Sequence, residues 1–142
     1  MQVQTPAVQR NWAMAAHLSA LVGLVGIPFG HVVGPLIVYL AQGHESEFVA
    51  SHARASLNYQ LTLTIVFIVA AIVGVAATFG FIIPMRWESE STIGFSVATL
   101  WIAFAAGCLG IVLATLIFII MGTIAASEGR PYTYPFAIRF LR

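Results

Sequence analysis

The sequence predicts an all-α polytopic membrane protein of four helices. It comprises a short N-terminal hairpin, two long spans, an amphipathic segment leading into the first span, and an interfacial C-terminal tail. The 142 residues are 60% hydrophobic and only 8% charged, whereas soluble domains carry about 25% charged residues. Two apolar runs, 61–83 and 93–126, are each long enough to cross a hydrocarbon core of about 30 Å. The length fits one membrane domain, residues 12–142, after a polar tail at residues 1–11.

The apolar stretch 13–42 is too long for one upright span and short for two. Pro28 and Gly30 lie near its middle, and proline removes a backbone donor and clashes with the preceding helical turn. We therefore expect two short helices, at about 13–27 and 31–42, joined by a tight turn. A single tilted and kinked crossing is the alternative interpretation.

The two long helices are expected at about 47–83 and 93–126, followed by the tail at 127–142. Ser46 is placed to cap the first of them, because a serine hydroxyl can accept a hydrogen bond from an unpaired amide of the first turn. Pro84 is expected to end that helix.

Arginine positions favour the hairpin. The chain has no lysine, so all six basic residues are arginine. A hairpin leaves Arg86 alone on one side of the membrane and places five arginines on the other: Arg10, Arg54, Arg130, Arg139 and Arg142. A single crossing would divide them less sharply. Positively charged loops face the cytoplasm, so we expect a multi-pass inner-membrane protein with both termini cytoplasmic.

The segment 47–60 carries polar side chains towards the membrane, where an amide is costly unless a neighbour bonds it. The first helix supplies polar neighbours from the same side. The candidate polar cluster comprises His17, Ser19, His52, Arg54, Asn58 and Gln60. Within it, we expect Asn58 or Gln60 to form a hydrogen bond with His17.

The tail interleaves arginines and tyrosines around prolines, a composition that suits the headgroup level of a bilayer. Its candidate interfacial residues are Arg130, Tyr132, Tyr134 and Arg139. The tail is expected either to anchor the protein there or to clamp anionic lipid or the carboxylates of Glu45 and Glu47.

Signs of catalysis or metal binding are weak. No two of the four histidines have the i, i+4 spacing of a helical zinc site. His17 with Ser19, and His52 with Ser56, lack an evident third catalytic member or oxyanion donor. We therefore expect no metal, no cofactor and no enzymatic activity. The formal charge of +1 gives no reason to expect a nucleic-acid partner.

Four sequence motifs follow one another along the chain. They are W-A-M-A-A-H-L-S at 12–19, G-P-L-I-V-Y-L at 34–40, F-V-x-x-H-A-R-A-S-L-N-Y-Q at 48–60 and Y-x-Y-P-F-A-I-R-F at 132–140. Together they resemble a bacterial membrane-protein family of unknown function that is similar to the Tic-twenty-like component of the chloroplast inner-envelope import machinery. The resemblance covers residues 12–141 and implies a four-helix membrane domain with both ends on one side.

The functional hypothesis is therefore a structural or translocon-related component that lies in the lipid bilayer and acts with other membrane proteins or with copies of itself. The alternative is a small transporter or channel subunit with a polar site around His17, Asn58 and Gln60. Broken helices such as 13–42 do mark binding sites in transporters, but the chain has no aspartate to couple an ion.

Overall fold

The computed structural model describes residues 5–83 and 89–142, and every regular element in those ranges is helical. Four α-helices are present, as expected. They are α1 (Ala7–Leu18), α2 (Gly30–Gln42), α3 (Glu47–Ile82) and α4 (Glu90–Ser127), with a 3₁₀ helix at Ser19–Val25 continuing α1. Residues 128–142 follow α4 without regular secondary structure.

The first helix begins at Ala7, earlier than the expected start at residue 13. Pro6 is the residue before the helix, with a non-helical ψ of 143°, and its carbonyl accepts a hydrogen bond from the Arg10 amide at 3.1 Å. The expectation that residues 1–11 form a polar tail is therefore wrong from Ala7 onwards. The change from polar to apolar residues indicates where the apolar stretch starts, but a helix can also include the polar residues that precede it.

The turn of the hairpin lies at the position that Pro28 and Gly30 predicted. Gly26 (φ 83°) and Phe29 (φ 57°) both adopt left-handed backbone conformations there, which are easy for glycine and rare for phenylalanine. After the turn, α2 packs against the 3₁₀ helix. At Gly34 the two backbones are so close that a Cβ atom would overlap the Ser19 carbonyl.

The two long helices have the length and composition to cross a membrane. Helix α3 has 36 residues and α4 has 38, so each is more than 50 Å long at about 1.5 Å per residue. The Val49 amide donates to Ser46 Oγ at 3.4 Å, which confirms the predicted cap of α3. The expected helix stop at Pro84 and the position of Arg86 lie outside the described residues.

The chain forms two compact units. Residues 64–114 make one of them, and residues 1–63 with 115–142 make the other. In the first unit, the Phe104 ring lies beside Gly74, where an added Cβ atom would make an ordinary contact at 3.6 Å, and Trp101 packs edge-on against Phe104. In the second unit, which we call the polar unit, the core contains buried histidines, tyrosines and amides. That residues 12–142 form a single membrane domain remains a prediction.

Candidate functional site: a buried histidine–tyrosine cluster

The centre of the polar unit is a chain of hydrogen bonds through two histidines. His17 from α1 and His52 from α3 are both fully buried, and His17 Nε2 lies 2.8 Å from His52 Nδ1. At one end, the Tyr134 hydroxyl lies 2.8 Å from His17 Nδ1. At the other end, His52 Nε2 lies 3.1 Å from the Arg130 carbonyl oxygen. All four ring nitrogens therefore have partners.

With both rings neutral, the direction of this chain follows from the Arg130 carbonyl. A carbonyl only accepts, so His52 Nε2–H must donate to Arg130. His52 Nδ1 then carries a lone pair and accepts from His17 Nε2–H. His17 Nδ1 in turn accepts from the Tyr134 hydroxyl. The Arg130 carbonyl thus determines the tautomers of both histidines. Both ends of this hydrogen-bond chain, Tyr134 and Arg130, belong to the tail.

Aromatic rings and one glycine enclose the histidine pair. Tyr132 packs edge-on against His17, and Phe48 packs edge-on against His52. Gly122 of α4 makes room for the His17 ring, since a Cβ atom there would lie 3.0 Å from His17 Cε1 and Nδ1 and 3.1 Å from Tyr132. The pair is therefore held by α1, α3, α4 and the tail together.

Tyr134 is the deepest residue of the tail, with only 6% of its surface exposed. Its ring stacks on Tyr59 at 4.4 Å, and the Tyr59 hydroxyl lies 3.1 Å from Thr115 Oγ1 of α4. Burial raises the pKa of the Tyr134 phenol above its ordinary value, and the nearby Ser56 hydroxyl lowers it by less. The phenol therefore stays protonated and can donate to His17.

A second group of contacts ties the end of the tail to α3. Asn58 Oδ1 accepts from the amides of Phe140 at 3.0 Å and Leu141 at 2.8 Å, and Asn58 Nδ2 donates to the Leu141 carbonyl at 3.0 Å. One turn further along α3, Thr62 Oγ1 accepts from the Ile138 amide at 2.9 Å. We call these two residues the tail clamp.

The structure brings together only part of the predicted polar cluster. His17 and His52 meet, but the expected bond from Asn58 to His17 is wrong because the Asn58 amide is committed to the tail. Gln60 is buried as well, yet both His17 nitrogens already have other partners. The Ser19 hydroxyl oxygen is buried and has no hydrogen-bond partner in the described part of the chain.

The predicted charged contacts also differ from the observed ones. Arg54 pairs with Glu47 on its own helix, and Arg130 pairs with neighbouring Glu128. The tail therefore does not clamp the carboxylates of Glu45 and Glu47 within the described ranges; Glu45 pairs with His44. Tyr134 is buried in the protein, and the interfacial position of the tail remains a prediction. Of the other interfacial candidates, Arg130 and Arg139 are exposed and Tyr132 is half-buried.

Sequence reasoning missed that the tail is the partner of the buried polar groups. The sequence predicted side-chain partners on the first helix, whereas Asn58 and Thr62 accept hydrogen bonds from backbone amides of residues 138–141. One signal was available: the extended, proline-containing tail has backbone amides that no helix satisfies, and buried amides need partners.

The described residues contain no group of three or more histidine, cysteine, aspartate or glutamate side chains positioned to hold a metal ion. The His17–His52 pair is linked by a direct hydrogen bond, with its remaining nitrogens bonded to the tail. Its visible role is to hold α1, α3 and the tail together.

Comparison with known proteins places this fold in a family. Residues 8–141 match the family model described as the magnetosome magnetite crystal formation protein family, MamF/MmsF. The chain belongs to the MamF/MmsF family. The match runs from the second residue of α1 to Leu141, so every residue of the buried cluster lies within it. No curated protein and no solved structure matches the chain.

The family assignment supports a membrane protein across nearly the whole chain, as the sequence predicts. It gives no support for the Tic-twenty-like resemblance. For a MamF/MmsF protein, the two long apolar helices agree with a location in a membrane.

The fit between Gly122 and His17 leads to a first prediction. Replacing Gly122 with leucine should destabilise the protein by about 1–3 kcal/mol, because overpacking a well-filled core forces its neighbours to move. Thermal unfolding in detergent measures this effect. Gly110→Leu on the same helix is the control, since a Cβ atom there meets nothing within 4 Å. Equal losses in the two variants would contradict the close packing at Gly122.

Proposed function

We propose that this chain is a multi-pass component of the magnetosome membrane that takes part in magnetite crystal formation as a structural protein and not as an enzyme. The observation that carries the proposal is the family match over residues 8–141. The two long apolar helices support the membrane location.

A structural role is favoured by the state of the buried polar groups. The four ring nitrogens of His17 and His52 and the amide of Asn58 are all engaged in hydrogen bonds within the protein. A general base or a ligand for a transported solute needs a free lone pair facing a path to solvent or substrate. These contacts instead hold helices and tail together, which disfavours both catalysis and a transport site at His17 and Asn58.

The proposal is tested by removing the protein from a magnetite-forming bacterium and measuring crystal number and size by electron microscopy. Loss of the chain should alter the crystals, and the wild-type chain should restore them. Complementation with Thr133→Ala, at an exposed tail position, should also restore them, whereas Tyr134→Ala, which disturbs the buried cluster, should restore them poorly. Crystals unchanged by the deletion would overturn the proposal.

Two further measurements separate the remaining roles. We also propose that the chain acts with partner proteins, which would be supported by proteins that co-purify after mild detergent extraction. Solute flux through liposomes containing the purified chain alone would favour a transporter or channel subunit instead.

The proposed topology places both termini on the cytoplasmic side. In the polar unit Thr5, which precedes α1, lies close to Gly129, which follows α4, since a Cβ atom on Gly129 would lie 3.3 Å from Thr5 Oγ1. The five-to-one division of arginines supports the same arrangement.

The topology is tested with single cysteines at Thr5, His44, Ser89 and Phe140 in a chain carrying Cys108→Ala. An impermeant thiol reagent applied to intact cells of a host without magnetosomes, which inserts the chain in its plasma membrane, should label only Ser89→Cys. Labelling at all four positions after membrane disruption is the control. Labelling of Thr5→Cys in intact cells would contradict the shared side of the termini.

A further inference from the structure

The tail clamp orients the end of the chain. Four hydrogen bonds to Asn58 and Thr62 hold the backbone of residues 138–141 against α3. Because these hydrogen bonds fix the backbone, the side chains that project from it form a defined surface.

Two kinds of side chain make up that surface. Three are large and apolar yet exposed: Phe136 is 93% exposed, Ile138 is 53% exposed and Phe140 is 46% exposed. Between and after them lie Arg139 and Arg142, both exposed. In the described ranges Arg54 and Arg130 each pair with a glutamate, whereas no ion pair involves Arg139 or Arg142.

The position of this surface along α3 gives its surroundings. The last clamp residue, Thr62, precedes by less than one turn the point where large apolar side chains on α3 become exposed, beginning with Ile65 and Val66. That is about 4–5 Å along the helix. The tail therefore lies at the level where the apolar span begins, which in a bilayer is the headgroup region.

We infer that the tail end, through Phe136, Ile138, Phe140, Arg139 and Arg142, is a binding surface for acidic phospholipid headgroups. The apolar side chains enter the boundary of the acyl region, and the two arginines without a carboxylate partner bind the phosphates. Guanidinium groups bind phosphate with paired, charge-assisted hydrogen bonds. The charge and the apolar contacts together favour a lipid over a soluble anion.

The test places a fluorophore on Thr133→Cys, an exposed tail position, in the full chain carrying Cys108→Ala. The protein is reconstituted in vesicles containing nitroxide-labelled phosphatidylglycerol or nitroxide-labelled phosphatidylcholine. Stronger quenching by the acidic lipid reports its enrichment at the tail. A basic residue near an anionic surface contributes about 1 kcal/mol, so two arginines correspond to a preference of up to about thirty-fold.

The variants assign the preference to the two arginines. Arg139→Gln with Arg142→Gln should make the two lipids quench equally, whereas Arg139→Lys with Arg142→Lys should keep most of the preference because the charge remains. Arg130→Gln is the matched control and should keep it fully, since Arg130 already pairs with Glu128.

Three outcomes would overturn the inference. The first is equal quenching by both lipids in the chain with its arginines intact. The second is an equal loss of preference in Arg130→Gln and the double glutamine variant. The third is relief of the preference by added inorganic phosphate at constant ionic strength, which would identify a free-anion site. None of these readouts depends on a role in crystal formation.

Discussion

Replacing Tyr134 with alanine is expected to destabilise the protein by about 3–5 kcal/mol, the usual cost of removing a large buried aromatic side chain. The substitution removes the ring stacked on Tyr59 and the hydroxyl bonded to His17. Reversible unfolding in detergent, followed by circular dichroism, measures the change. An effect of this size on a residue so near the end of the chain would establish that the tail belongs to the core.

Two companion variants divide that effect. Tyr134→Phe keeps the ring but leaves His17 Nδ1 without a donor, which should cost about 1–3 kcal/mol. Tyr132→Ala is the matched control in the same segment, because Tyr132 is only half-buried and makes no hydrogen bond to the histidines. If Tyr132→Ala costs as much as Tyr134→Ala, burial of Tyr134 is not what stabilises the tail.

Replacing Asn58 with alanine is expected to cost about 1.5–4.5 kcal/mol, since it removes three hydrogen bonds at about 0.5–1.5 kcal/mol each, or somewhat less in a membrane. The local effect should be larger than the global one. The amides of Phe140 and Leu141 donate to Asn58, so their protection from hydrogen exchange should be lost, while the amides of α4 keep theirs.

The other half of the tail clamp supplies a control for this prediction. Thr62→Val should expose the Ile138 amide to exchange and leave those of Phe140 and Leu141 protected. Thr78→Val removes a hydroxyl that bonds only to Gly74 on its own helix and should leave the whole tail unchanged. Equal loss of protection at all three tail amides in Thr62→Val would show that the segment detaches as one piece.

The helices were predictable because their signals are local. Apolar runs, the Pro28–Gly30 break and the Ser46 cap each depend on neighbouring residues only, and each identified a helix or its end. The start of α1 at Ala7 was missed because polar residues before the apolar stretch were read as a tail, although hydropathy indicates depth in a membrane and not helix formation.

The sequence predicted the polar side chains of the site but not their backbone partners, for a physical reason. The polar side chains of 47–60 indicate that buried polar groups need partners, and the candidate set contains His17 and His52, which the structure brings together. Their other partner, the Arg130 carbonyl, is a backbone group that every residue possesses, so its position carries no sequence signal. The same holds for the backbone amides that Asn58 binds.

The hydrogen-bond chain through the histidines has a consequence for biosynthesis. It starts at Tyr134 and ends at Arg130, and Tyr134 lies 117 positions after His17. During translation, α1 and α3 therefore form before synthesis of Arg130 and Tyr134, the acceptor and the donor that complete the pairing of their histidines. Contacts between residues so distant in sequence form late, and domains mature from the N-terminal end first. Synthesis of residues 130–134 is thus the step that completes the histidine hydrogen bonds, and ribosome-bound chains lacking these residues should remain open to quality-control proteases.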